Sequence, residues 1–250
     1  MVGQARRLGV ATALAMLLSA SGASAATFTV NPTQIFLSGK TTTALLTLRN
    51  DSEETLRFQL TAFGWQQTPA GEITLTPTQD VVFFPALLTL APKEERRIRV
   101  GSTVSAAAQE RTYRIFVEEL PQSDGARANA VRVLTKMGIP IFIRPAKEVA
   151  TADLRDLALR AGSLSFSLAN RGSVHFVPQR VVVRAAGASG ERLAEQELKA
   201  WYILAGGRRE FEVVTPAEQC ARVASLSVEV AFDANVLEER LQTPGGTCVK

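Results

Sequence analysis

From Ala26 onward the chain alternates between apolar and polar positions. Leu56, Phe58 and Leu60 are separated by Arg57, Gln59 and Thr61, the two-residue period of a strand with one buried and one wet face. Thr43–Leu48, Ile73–Leu75, Val81–Phe84, Arg96–Val100, Thr112–Glu119 and Val131–Ile143 read as further strands. Thr27–Leu37 reads as one extended segment, with Pro32 where an edge strand tolerates it. Ser38-Gly39-Lys40 and Asn50-Asp51-Ser52 supply turns between them. Short strands interrupted by turns about every ten residues predict a β-sandwich and not a βαβ fold.

Arg144-Pro145-Ala146-Lys147 ends the long strand and reads as an interdomain elbow. Beyond it the pattern restarts with Leu164–Leu168, the turn Asn170-Arg171-Gly172, and the apolar run Phe176–Arg184. Leu193–Trp201, Arg209–Val214, Val223–Phe232 and Leu237–Thr243 complete a second set. Glu191–Lys199 favours helix on propensity alone. It lacks a capped apolar stripe at helical spacing, so it is read as a strand. The expectation is an all-β chain of two sandwich domains, residues 26–145 and 146–250.

Residues 1–25 read differently. Arg6 and Arg7 precede an apolar run from Leu8 to Leu18, and Ala23-Ser24-Ala25 is a small-x-small cleavage site. This is the pattern of a cleavable export signal with cleavage near Ala25-Ala26, and the run is too short to span a bilayer. Its removal lowers the formal charge from +4 to +2, a balance that argues against nucleic-acid binding. Export also bears on the cysteines. Cys220 and Cys248 are the only two in the chain, and in an oxidising compartment such a pair is expected as a disulfide, with free thiols the alternative.

The chain carries little that suggests catalysis. His175 is its only histidine, so a triad base has one candidate, and its setting in Ser173-Val174-His175-Phe176-Val177 reads as an ordinary strand-face residue. There is no Gly-rich phosphate loop and no metal-spaced carboxylate cluster. Glu118 and Glu119 are neighbours on a strand, point to opposite faces, and cannot act as a paired acid and base. The expectation is a binding protein with no catalytic residues, no metal, no cofactor and no small-molecule substrate.

Three segments, in order, resemble the periplasmic chaperones of the chaperone–usher pilus pathway. Val82-Phe83-Phe84-Pro85 through Leu90-Ala91-Pro92 to Ile98-Arg99-Val100 is similar to that family's proline-marked strand, loop and returning strand. Thr112–Pro121 is similar to its next strand, ending in an acidic-apolar-proline signature. Met137-Gly138-Ile139-Pro140-Ile141-Phe142-Ile143-Arg144-Pro145 is similar to the end of its donor strand and the elbow, with an Ile-Pro-Ile-Phe core closer to the archaic, non-classical branch.

The resemblance implies two immunoglobulin-like sandwiches in an L-shaped arrangement, acting in the periplasm. It implies pilus or fimbrial subunits and an outer-membrane usher as partners, and self-association of the free protein is a further expectation. A subunit lacking its last strand exposes an aggregation-prone edge, and the chaperone's lent strand covers it by donor-strand complementation. Here the donor would be Val131–Ile143, with Val131, Val133 and Met137 as donor residues and Ile139, Ile141 and Ile143 kept for the protein's own core. A bulge at Gly138 or Pro140 would shift the phase and bring in Leu134 instead.

The family anchors the subunit's terminal carboxylate with an arginine on the first strand and a lysine on the donor strand. Those positions hold Gln34 and Pro140 here, so Arg114 and Lys136 become the candidate anchors. The family's interdomain charge cluster maps onto Glu119, Arg144 and Asp233. Competing expectations are a structural pilus subunit, which should be a single incomplete sandwich, and an unrelated periplasmic binding or adaptor protein on the same scaffold.

Overall fold

The computed structural model describes residues 27–121, 133–214 and 220–243. The export signal, Val131 and Cys248 lie outside the described residues. Among the described residues, ten strands build the first sandwich. One sheet orders β1 (Phe28–Asn31), β3 (Thr43–Asn50), β8 (Glu95–Ser102) and β6 (Val81–Phe84). The other orders β2 (Ile35–Leu37), β10 (Lys136–Ile143), β9 (Arg111–Leu120), β4 (Leu56–Gln67) and β5 (Ile73–Pro77), with β7 (Leu87–Leu90) also on β4. The inward positions of both sheets, among them Leu46, Leu48, Phe58, Ile98, Val100, Ile115 and Val117, form one buried core. Removing their apolar surface from water is the main driving force for the fold.

Thr27–Leu37 is two strands, not one. β1 pairs with β3 in one sheet and β2 with β10 in the other, and the break falls at Pro32, which has no N–H to give to a ladder. The crossing places Gln34 beside the domain junction.

The second sandwich packs β11 (Ala152–Arg160), β12 (Ser163–Asn170) and β15 (Arg208–Val214) against β14 (Arg192–Leu198), β13 (Arg180–Ala186), β16 (Ser225–Phe232) and β17 (Asn235–Gln242). Its core includes Leu164, Phe166, Val181, Val228 and Phe232. The strand expected at Phe176 begins only at Arg180, after Pro178, and Phe176 keeps a single bridge to Ile203. β11 has no counterpart in the sequence reading: Asp156 has a positive φ of 59° and the register shifts between Arg155 and Ala158, which breaks the alternation.

Two buried asparagines lock corresponding turns. Asn50 is fully buried. Its amide donates to the carbonyls of Glu54, Leu90 and Ala91 at 2.7, 3.2 and 3.0 Å, and its Oδ1 accepts from the Ser52 amide at 2.9 Å. Asn170 does the same in the second domain, donating to Val174 and Ile203 and accepting from Gly172. These are the turns read from Asn-Asp-Ser and Asn-Arg-Gly.

Candidate donor edge and interdomain anchor

β10 pairs antiparallel with β9 along its whole length, from Lys136 opposite Glu118 to Ile143 opposite Arg111, without a shift in register. The bulge considered at Gly138 or Pro140 is therefore absent. On the other side β2 covers only Ile141–Ile143. Among the described residues, Lys136–Pro140 have no strand partner there, so β10 offers an open edge.

The backbone phase of that edge follows from two bonds. The Glu119 amide donates to the Thr135 carbonyl at 2.9 Å, and the Arg144 amide donates to the Leu37 carbonyl at 2.8 Å. Hydrogen-bonded and non-bonded pairs alternate along an antiparallel ladder. Odd-numbered residues therefore bond β9, and even-numbered residues turn their backbone groups outward. Lys136 and Gly138 offer both N–H and C=O, whereas Pro140 offers only a carbonyl. A proline is tolerated in this central-looking strand because its missing N–H lies on the open side.

Side chains follow the same alternation. Ile139, Ile141 and Ile143 are buried in the protein's own core, as expected. Met137 is partly buried against that core. Continued backward, the alternation puts Thr135 and Val133 on the same face, and Val133 is 71% exposed. Leu134 is also exposed, and the same backward continuation gives it the opposite phase. At Gly138 a Cβ would stand 2.8 Å from the Phe116 ring, so glycine is what lets that ring lie flat against the strand.

The two candidate cations have different surroundings. Lys136 is exposed, ion-paired with Glu118 at 2.8 Å and positioned over the Phe116 ring. Arg114 stands opposite Pro140, and its guanidinium lies 4.3 Å from the ring centroid of Trp65 and 4.7 Å from that of Trp201. These are the only two tryptophans of the chain, one from each domain. Arg114 is 9% exposed, its Nε is buried without a hydrogen-bond partner, and no carboxylate among the described residues pairs with it. Burial pushes its pKa below the usual arginine value, and the nearby Tyr202 partly offsets this. A buried, unpaired guanidinium is suited to a carboxylate arriving from outside.

Trp65, Phe142, Tyr202 and Leu204 form a separate buried cluster that joins the domains. Gln34 donates to the Tyr202 hydroxyl, so the residue standing at the family's arginine position takes part in the joint. The expected charge cluster is not assembled. Arg144 and Asp233 do line one cleft of about 550 Å³ at the junction. Glu119, however, is buried at the far end of β9, beside Thr135, eight positions along the strand from Arg111, whose partner Ile143 adjoins Arg144.

Glu110 and Glu148 line the same cleft, and Glu110 is the acid that bonds across the domains. Its Oε1 lies 2.6 Å from His175 Nδ1 and accepts from the His175 amide at 3.2 Å. His175 is thus an interdomain residue and not the strand-face residue expected, with its ring stacked on Phe142 at 3.8 Å. Arg144 pairs with Glu148 at 3.3 Å. Glu110 lies outside the segments that read as strands, His175 reads only as a strand-face residue and Trp201 only as the end of Leu193–Trp201, so none of the three is legible as an interdomain residue. Their one signal is the clustering of rare aromatic types in Trp201-Tyr202, where strand alternation has stopped.

Cys220 is buried; with Cys248 outside the described residues, the pairing stays an expectation.

A family model described as the N-terminal domain of the pili and flagellar-assembly chaperone PapD matches residues 27–148. The first domain of this chain, which carries the open edge, belongs to that family of pilus-assembly chaperones, binding proteins and not enzymes. Solved structures extend the likeness over both domains. The chain is similar to the CsuC–CsuE chaperone–tip adhesion subunit complex of archaic Csu pili of Acinetobacter baumannii, with 16% identity, 85% of this chain and 98% of that chain covered, and a TM-score of 0.58. The class 5 fimbriae chaperone CfaA gives 13% identity, 87% and 100% coverage and a TM-score of 0.58. The E. coli chaperone DraB gives 15%, 88% and 100%, and 0.55. No curated protein matches the chain in sequence.

Proposed function

We propose that this protein is a periplasmic chaperone that captures pilus or fimbrial subunits by lending them β10, then delivers them to an outer-membrane usher. The observation that carries this reading is the open edge at Lys136–Pro140, flanked by exposed Val133, in a domain of the pilus-chaperone family. A subunit strand pairing there receives backbone bonds from Lys136 and Gly138, and apolar side chains from Val131, Val133 and Met137 fill its groove. Leu134, of opposite phase, is not a donor. The chaperone complexes among the similar structures, a tip adhesion subunit with CsuC and the SafA pilin with SafB, support a subunit as the partner.

Arg114 is the anchor for the subunit's terminal carboxylate. Among the described residues it has no ion-pair partner and its Nε is buried without a hydrogen bond, whereas Lys136 already has Glu118. A leader cleaved near Ala25-Ala26 takes the chain to the periplasm, where Cys220 and Cys248 form a disulfide. Co-expression with a candidate subunit tests the reading. The wild type yields a soluble one-to-one complex, and the Val131→Asp, Val133→Asp double variant folds but yields none. Undiminished capture by that variant overturns the donor assignment.

A further inference from the structure

The domains also touch beyond the Trp65–Leu204 cluster. The β4–β5 hairpin tip, residues 68–72, reaches across and contacts the exposed edge strand β15 of the second domain. The Glu210 amide donates to the Pro69 carbonyl at 2.8 Å. One step away the Leu204 amide is 3.4 Å from Gln67 Oε1. Gly71 has a φ of +85°, and a Cβ there would stand 1.4 Å from Arg209 Nη1, so the guanidinium lies directly on the glycine. The hairpin is pre-formed for this, with the Thr68 amide bonded to Glu72 and the Gly71 amide to Thr68.

On the second domain, the segment carrying Trp201 is fixed to its own sandwich. Ile203 and Phe176 exchange backbone bonds, and the Ile203 carbonyl also accepts from Asn170. Trp201 therefore moves with its domain as a body. Whether it covers Arg114 depends on where that body sits, and the hairpin contact helps to set this alongside the Glu110–His175 pair.

We propose that Arg209 and the β4–β5 hairpin act as a strap that positions the second domain so that Trp201 closes over Arg114, making Arg209 a positioning residue for subunit anchoring. This rests on Arg114 being the anchor. Arg209 fits the role: its Nε is buried without a partner, so packing against the hairpin, and not a hydrogen-bonded Nε, holds the contact. With the strap released, the guanidinium loses one of its two indole walls and is rehydrated, which weakens its grip on a carboxylate.

Because both tryptophans sit on Arg114, tryptophan emission of the full chain reports on this clasp. Arg209→Ala is expected to leave melting of the second domain near wild type, shift tryptophan emission to the red, widen the distribution of distances between labels on the two domains, and weaken subunit binding by roughly fivefold or more. Arg209→Lys, which keeps the charge but not the planar contact with Gly71, is expected to do the same. In the Arg209→Ala background, Arg114→Ala should cost less affinity than it does alone. Unchanged emission and interdomain distances in Arg209→Ala overturn the strap. Altered emission and distances, together with an Arg114→Ala variant that binds subunit normally, uphold the strap and overturn the anchor.

Discussion

The amide of Glu119 donates to the carbonyl of Thr135 at 2.9 Å, and this bond fixes which backbone groups of β10 face β9 and which face outward. A substitution that removes one N–H at a time separates the two sets. Lys136→Pro deletes an outward N–H. It should leave the melting temperature nearly unchanged and weaken subunit binding by about tenfold, the equivalent of one lost hydrogen bond. Met137→Pro deletes an N–H bonded to β9 and should cost about 2–3 kcal/mol of stability in urea unfolding. Equal destabilisation by both would mean that the phase is wrong.

The anchor assignment predicts unequal effects of two charge deletions. Arg114→Ala removes a desolvated cation and should weaken subunit binding by roughly 10- to 150-fold. Lys136→Ala removes one member of an exposed pair and should change it by no more than about threefold. Titration calorimetry with a purified subunit, or competition with a peptide of its last residues, distinguishes them. The reverse order would assign the anchor to Lys136.

The sequence carries the sandwiches clearly and the joint between them hardly at all. Strands such as Leu56–Leu60 are legible because burial on one face imposes a two-residue period. Asn50 and Asn170 are legible as turns because a short amide side chain satisfies the backbone that a turn leaves unpaired. β11 is not legible, since its irregularity at Asp156 interrupts the period. The interdomain contacts are long-range: Glu110 and His175 come from segments without a period, and no local rule brings them together. Glu119 fits the cluster by motif alone, and only the strand register reveals that it sits at the wrong end of β9.

Tyr113 gives the first domain a dependence on alkaline pH. Its hydroxyl donates to Asp80 Oδ2 at 2.7 Å. Burial first, and Asp80 second, push its pKa from 10.0 up to about 12. The folded state thus favours the neutral phenol more than the unfolded chain does. This stabilisation is fully present below pH 10 and is lost as pH rises through about 12, to a total of roughly 2–3 kcal/mol. Stability of wild type should fall relative to Tyr113→Phe across that window, with parallel curves below it. A constant difference through pH 12 would refute the linkage.

Asn50→Ala should destabilise the first domain by about 2–4 kcal/mol, since it strands the buried carbonyl of Leu90 and removes the bonds to the Ala91 carbonyl and the Ser52 amide. Asn170→Ala should act on the second domain by a similar amount. Domain-resolved urea unfolding checks both. Each loss should be confined to its own sandwich, and the pattern fails if either variant unfolds as wild type does.

Amide hydrogen exchange, measured with and without bound subunit, tests most directly whether β10 lends its edge. In the free protein the amides of Lys136 and Gly138 should exchange fast while those of Met137 and Ile139, bonded to β9, stay protected. With subunit bound, Lys136 and Gly138 should become protected to the level of their neighbours. Fast exchange at both positions in a saturated complex would contradict strand lending at this edge.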